Sequence, residues 1–178
     1  MTDRTRRRGF YLWITGAIVA LDQMAKALVD RYLELHESHT IVEGLARLTY
    51  VQNRGAAFGI LSDADLPYQS VLFSVVSIIA LGAIAVYAWK LPVTSRLPRA
   101  ALALIMGGAV GNLLDRMRLG YVIDYVDVYW GRHHWPAFNV ADSAISVGVA
   151  LLVLDILRSP QPDSAKPEMT PTTAAQGE

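Results

Sequence analysis

The chain contains no cysteine, which excludes disulfides, thiolate metal sites and cysteine nucleophiles. Histidine is sparse. His36, His39, His133 and His134 are the four present; they fall in expected loops without HExxH spacing, and this argues against a zinc site. Charge is scarce too: acidic and basic residues make up 18% of the chain, against roughly 25% in an average soluble domain. The two signs cancel to a formal net charge of zero. A broad electrostatic footprint for nucleic acid is therefore missing, and no nucleic-acid partner is expected.

What the chain has in abundance is apolar sequence. Hydrophobic residues account for 53% of its 178 positions and gather into runs of about membrane length. The expected fold class is a mainly α, polytopic membrane protein. Its four transmembrane helices are expected at about 10–29, 68–89, 100–117 and 138–157. The first run follows Arg4, Arg6, Arg7 and Arg8, as a cleaved signal peptide would. No A-x-A site follows it, however, and the pattern continues through Asp22 and Lys26 to Val29, so the span is expected to be retained.

Between the first two spans, RLTYV at 47–51 alternates as a half-buried strand does, and Gly55 and Gly59 suit a turn. A small extracytoplasmic β-rich cap is expected at about 30–67, and an external loop at about 118–137. Residues 1–158 read as a single membrane-embedded domain, and 159–178, rich in proline and small polar residues, as a disordered cytoplasmic tail.

Lys and Arg in the connections give orientation. Nine lie on one side (Arg4, Arg6, Arg7, Arg8, Lys90, Arg96, Arg99, Arg158, Lys166) and five on the other (Arg31, Arg47, Arg54, Arg118, Arg132). The richer side is expected to be cytoplasmic, with both termini. Tyr11, Trp13, Tyr87 and Trp89 then fall at the inner interface, and Tyr68, Tyr129, Trp130 and Trp135 at the outer one. Asp155, near Arg158, is read as a snorkelling residue.

Against this background the polar residues stand out. Asp22 and Lys26 share a face of the first span, Asn112, Asp115 and Arg116 one of the third, and Asn139, Asp142 and Ser146 one of the fourth. All lie at the same depth, toward the outer side. Gly107 and Gly111 form a G-x-x-x-G pair whose simplest role is close helix packing. Ionisable groups inside a membrane span are costly and by default mark a functional site. Asp142 sits just inside the fourth span, and Asp124 in the β-prone run YVIDYVDV of the preceding loop. Two carboxylates brought close share a proton, and one can activate water while the other donates to the leaving amine. Such aspartic-peptidase chemistry requires no cofactor and no metal. Asp127 competes with Asp124 for the loop position, although a solvated loop residue is its simplest reading, and spacing separates the two only weakly.

Five blocks now fall into order: DQMAK at 22–26, NRGAAFG at 53–59, GGAVGNLLDR at 107–116, GYVIDYVDV at 120–128 and FNVADSAIS at 138–146. Through them the chain, from about Leu21 to Gly148, resembles the lipoprotein signal peptidase (signal peptidase II) family of bacterial inner-membrane aspartic peptidases. The resemblance implies a four-helix fold with an external β-cradle. It also implies cleavage of a prolipoprotein before its diacylglyceryl-modified cysteine, near the outer face of the membrane. By position it places the catalytic pair on Asp124 and Asp142. Supporting or substrate-binding positions fall on Asp22, Lys26, Asn53, Arg54, Gly108, Asn112, Asp115, Arg116, Asn139 and Ala141. Tyr125 stands where many members carry phenylalanine. The partners implied are diacylglyceryl-modified prolipoproteins and membrane lipid, with the enzyme itself expected to be a monomer. Two other readings of the polar cluster are a small membrane transporter and a scaffold subunit; the lack of a repeated half and the gathering of acids on one side argue against a transmembrane path.

Overall fold

The computed structural model describes residues 3–55, 68–92 and 94–158. In order these form α1 (Asp3–Tyr32), β1 (Ser38–Val42), β2 (Ala46–Asn53), α2 (Gln69–Lys90), α3 (Arg96–Leu119), β3 (Val122–Trp130), β4 (His133–His134) and α4 (Val140–Arg158). The part of the expected cap at 56–67, with Gly59, and the expected tail at 159–178 lie outside the described residues.

Among the described residues, four helices are long and apolar enough to cross a membrane. Their ends differ from expectation by local chemistry. The third starts at Arg96 instead of 100 because Pro98 sits in its first turn, where its missing N–H has no intrahelical partner to lose. It stops at Gly120, whose left-handed φ of 82° lets the residue return its N–H to the Arg116 carbonyl. The fourth starts at Val140, two residues later than expected, because Asn139 is its cap.

Helix α3 is the centre of the bundle and packs against each of the other three. Its small residues make this possible. A β-carbon on Gly107 would come within 2.8 Å of Ile18 on α1, and one on Gly108 would collide with the Ala141 carbonyl oxygen of α4. The G-x-x-x-G pair thus seats α1, and the neighbouring glycine seats α4. Helix α2 touches the bundle through α3 and leaves Val71, Leu72, Ile78 and Ile79 more than half exposed, as a lipid-facing helix does.

The four strands form one antiparallel sheet in the order β1-β2-β3-β4. The expected external loop at 118–137 is therefore largely strand, and its β3 pairs with β2 of the cap along most of its length. Val29, Tyr50, Ile123 and Tyr125 form a buried apolar cluster that fastens the sheet to the C-terminal end of α1. The N–H groups of Tyr125 and Val126 both bond to the Phe138 carbonyl, at 3.1 and 2.8 Å. Two residues opposing one is a β-bulge, and it resets the alternation of β3. Asp124 and Asp127, three residues apart, consequently line the same cavity.

Candidate active site

Asp142 occupies the third position of α4, and Asn139 caps that helix. The Asn139 side-chain oxygen accepts the Asp142 N–H at 2.9 Å, and the Asp142 carboxylate accepts the Asn139 N–H at 3.2 Å. This is a capping box, in which side chains replace the partners missing at a helix start. The other Asp142 oxygen accepts a 2.8 Å bond from the Asn112 amide of α3.

Asp124, 2% exposed on β3, receives Asn139 Nδ2 at 2.7 Å on one oxygen and Asn53 Nδ2 at 2.9 Å on the other. Asn139 therefore holds both carboxylates, one through its side chain and one through its backbone. Burial first, and the nearby Asp142 charge second, push the Asp124 carboxyl up to about 7, although the bonds from Asn53 and Asn139 and the Lys26 charge act the other way.

Beneath this pair lies a buried ionic platform. Lys26 Nζ is 2.8 Å from each of Asp22 Oδ2, Asp115 Oδ2 and Asn112 Oδ1, so the ammonium spends its three donors on three acceptors. Gln23 Nε2 adds a 2.8 Å bond to Asp115. The platform also reaches the elements that carry the dyad: Asp22 accepts the Ala141 N–H of α4 at 3.0 Å, and Asp115 the Ile123 N–H of β3 at 3.2 Å. Gly111 makes the room, since a β-carbon there would stand 2.5 Å from Asp22 Oδ2. Helix packing alone thus understates this glycine.

The sequence-derived residues Asp22, Lys26, Asn53, Gly108, Asn112, Asp115, Asp124, Asn139, Ala141 and Asp142 converge. Arg116 lies at the margin: its Nη2 donates to the Gly55 carbonyl at 3.0 Å and its guanidinium sits 5.7 Å above the Phe73 ring. Arg54 is exposed just beyond β2. Asp127 departs from the reading as a solvated loop residue: it is 5% exposed on β3, with Arg47 Nε 2.5 Å and His134 Nδ1 3.1 Å from its carboxylate. The missed signal was cross-strand pairing, because Arg47 stands directly opposite Asp127, an opposite-charge pair visible only once the register is known. Gln23, adjacent to Asp22, had no periodic signal of its own.

Among the described residues, two cavities adjoin Asp124 and Asp142, and both include Ala137. One, of about 490 Å³, runs over the sheet and is lined by Arg47, Asn53, Asp124, Asp127, His134 and Trp135 among others. The second, of about 400 Å³, runs along α4 and is lined by Phe138, Asp142, Ile145, Ser146, Val149 and Ala150 beside Ala137. The first carries most of the polar side chains and lies among the strands; the second is apolar and follows a spanning helix.

Comparison with known proteins points to one family. The family profile described as signal peptidase (SPase) II matches residues 14–158. The lipoprotein signal peptidase of Geobacter sulfurreducens is 54% identical over 151 residues, covering 85% of this chain and 92% of that protein. The one from Pseudomonas aeruginosa is 41% identical over 150 residues, covering 84% and 88%. A solved bacterial membrane enzyme, 29% identical, superposes with a TM-score of 0.77 over 89% of this chain and 93% of its own.

Proposed function

This chain belongs to the signal peptidase II family, and we propose that Asp124 and Asp142 are the catalytic pair with which it works. It is a multi-pass membrane peptidase that removes signal peptides from prolipoproteins. The observation that carries the assignment of the pair is Asn139, which bonds Asp124 and Asp142 at once where a polar and an apolar cavity adjoin.

With Asp124 raised to about 7, the pair retains one proton near neutral pH. A water held between the two carboxyls gives a proton to the ionised one as its oxygen attacks the scissile carbonyl. The protonated one stabilises the developing oxyanion and then passes its proton to the departing amine. The products are a free carboxyl on the signal peptide and a free amine on the diacylglyceryl-modified cysteine. Asn53, Asn112 and Asn139 keep the carboxyls oriented, and Lys26 with Asp22 and Asp115 fixes the helices that bear them.

The apolar cavity along α4 suits the signal helix or the acyl chains. Burial in lipid is worth about 0.8 kcal/mol per CH₂, so a site reached sideways from the bilayer spares the substrate transfer of its chains into water. Membrane lipid is thus a partner of the working enzyme, and the enzyme acts as a monomer. Residues up to 158 form one peptidase unit. Both termini face the cytoplasm and the site lies near the outer face, because nine basic residues lie on one side of the spans and five on the other.

The test is cleavage of a diacylglyceryl-modified prolipoprotein by purified protein in detergent, read by gel shift. Wild type should cut before the modified cysteine, whereas Asp124→Asn and Asp142→Asn should not. Turnover by either variant near the wild-type rate would remove that residue from the pair.

A further inference from the structure

Beside the dyad, in the sheet cavity, lies a second polar cluster that the cleavage step leaves unused. Asp127 is its centre. Arg47 Nε holds one carboxylate oxygen at 2.5 Å, and His134 Nδ1 lies 3.1 Å from both oxygens. Tyr129 stiffens the cluster: the His134 ring stacks on it with centroids 5.1 Å apart and planes 19° from parallel, and the Arg47 guanidinium sits 5.7 Å from its centroid. Asp127 is 7% exposed by its side chain, while Arg47 and His134 are 37% and 41% exposed. A buried carboxylate with two half-exposed partners aims those partners outward into the cavity they line with Asp124.

The chemistry of the outward atoms follows from the inward bonds. Asp127, as a carboxylate, requires the His134 proton on Nδ1, which leaves Nε2 of the neutral ring as an acceptor. Arg47 uses Nε on Asp127 and keeps its Nη donors. Among the described residues, neither His134 Nε2 nor the Arg47 Nη atoms have a protein hydrogen-bond partner. One donor and one acceptor, held on a common carboxylate, match the C=O and N–H of an extended peptide.

We propose that Arg47 and His134, braced by Asp127 and Tyr129, bind the main chain of the substrate's mature segment, just after the modified cysteine. This rests on the peptidase reading above and adds a polypeptide subsite to it. The location supports it: the cavity this segment would enter carries Arg47, Gln52, Asn53, Asp127 and His134, whereas the cavity beside Asp142 is apolar. Main-chain recognition of this kind is indifferent to the side chains of that segment.

The experiment compares two substrates with the same signal peptide and modified cysteine. One ends at an amidated cysteine, and the other continues for about eight residues in the manner of a short extended strand. Steady-state constants are measured in detergent for wild type, His134→Phe, which keeps the stack on Tyr129 but loses both ring hydrogen bonds, and His134→Gln, which restores an acceptor. Wild type is expected to show a KM several-fold lower for the long substrate. His134→Phe should raise that KM about three- to tenfold, the worth of one hydrogen bond, leave kcat unchanged and not alter the short substrate; His134→Gln should recover part of the loss. Unaltered turnover of the short substrate doubles as proof of folding. Equal losses on both substrates would make His134 merely structural and overturn the proposal, as would unchanged constants on both. Failure of wild type to cut either substrate would instead strike the peptidase reading on which the subsite depends.

Discussion

Asn139 and Asp142 hold each other at the start of α4: the asparagine side chain accepts the aspartate N–H at 2.9 Å, and the aspartate carboxylate accepts the asparagine N–H at 3.2 Å. A device that normally starts a helix here fixes a carboxylate of the proposed catalytic pair. Because the Asn139 amide also donates to Asp124 at 2.7 Å, its loss should act on both aspartates together. Asn139→Ala is expected to lower thermal stability by the roughly 1 kcal/mol typical of a lost cap. The same change should lower kcat by at least about tenfold, since orientation of both acid–base groups is lost. Thermal unfolding and cleavage kinetics on one preparation check both halves.

Asp124→Asn and Asp142→Asn should each reduce turnover by about 10²- to 10⁴-fold, the range typical of a lost general acid or base. An amide neither takes a proton from water nor passes one to an amine. Circular dichroism of the variants should match wild type, because Asn fills the same volume.

The raised Asp124 carboxyl has two consequences for pH. Its native pKa of about 7 stands above the ordinary 3.8, so between these values the folded protein binds more protons at this site than the unfolded chain does. Its contribution to stability is complete below about 3.8 and is lost as pH rises through about 7. Thermal midpoints between pH 5 and 8 should fall more steeply for wild type than for Asp124→Asn. Cleavage should decline on the alkaline side of about 7 as the pair loses its shared proton, which a pH–rate profile will show.

Lys26 joins Asp22, Asp115 and Asn112 through three bonds of 2.8 Å and is 2% exposed. Lys26→Met should destabilise the protein by about 3–5 kcal/mol, because it leaves two buried carboxylates without their cation. Denaturation in mild detergent, compared with the exposed control Arg118→Met, measures the loss.

A β-carbon at Gly108 would collide with the Ala141 carbonyl, one residue from Asp142, whereas one at Gly82 on α2 would meet nothing within 4 Å. Gly108→Ala should therefore cost about 1–3 kcal/mol and depress cleavage by moving α4. Gly82→Ala should leave cleavage unchanged and raise stability by roughly 0.5–1 kcal/mol. Thermal unfolding of the pair separates crowding from helix propensity.

The four spans were legible because hydrophobic length and helical periodicity are local properties: a run such as Tyr68–Trp89 excludes other structures in lipid whatever surrounds it. Asp22, Asn112, Asp115, Asn139 and Asp142 were legible for the same reason, since a polar group in an apolar run contradicts its surroundings. Choosing Asp124 over Asp127 was beyond spacing, and the five sequence blocks supplied it. Only the folded chain decides what depends on register and approach. The bulge at Tyr125 and Val126 opposite Phe138 turns both Asp124 and Asp127 into one cavity, and the pairing of β2 with β3 sets Arg47 against Asp127. Close approach at Gly108 and Gly111 brings α4 and α1 near enough for Asn139, Asn112 and Lys26 to join hands across three helices. Strand register and helix approach are set by partners far away in the chain, and no local pattern of residues encodes them.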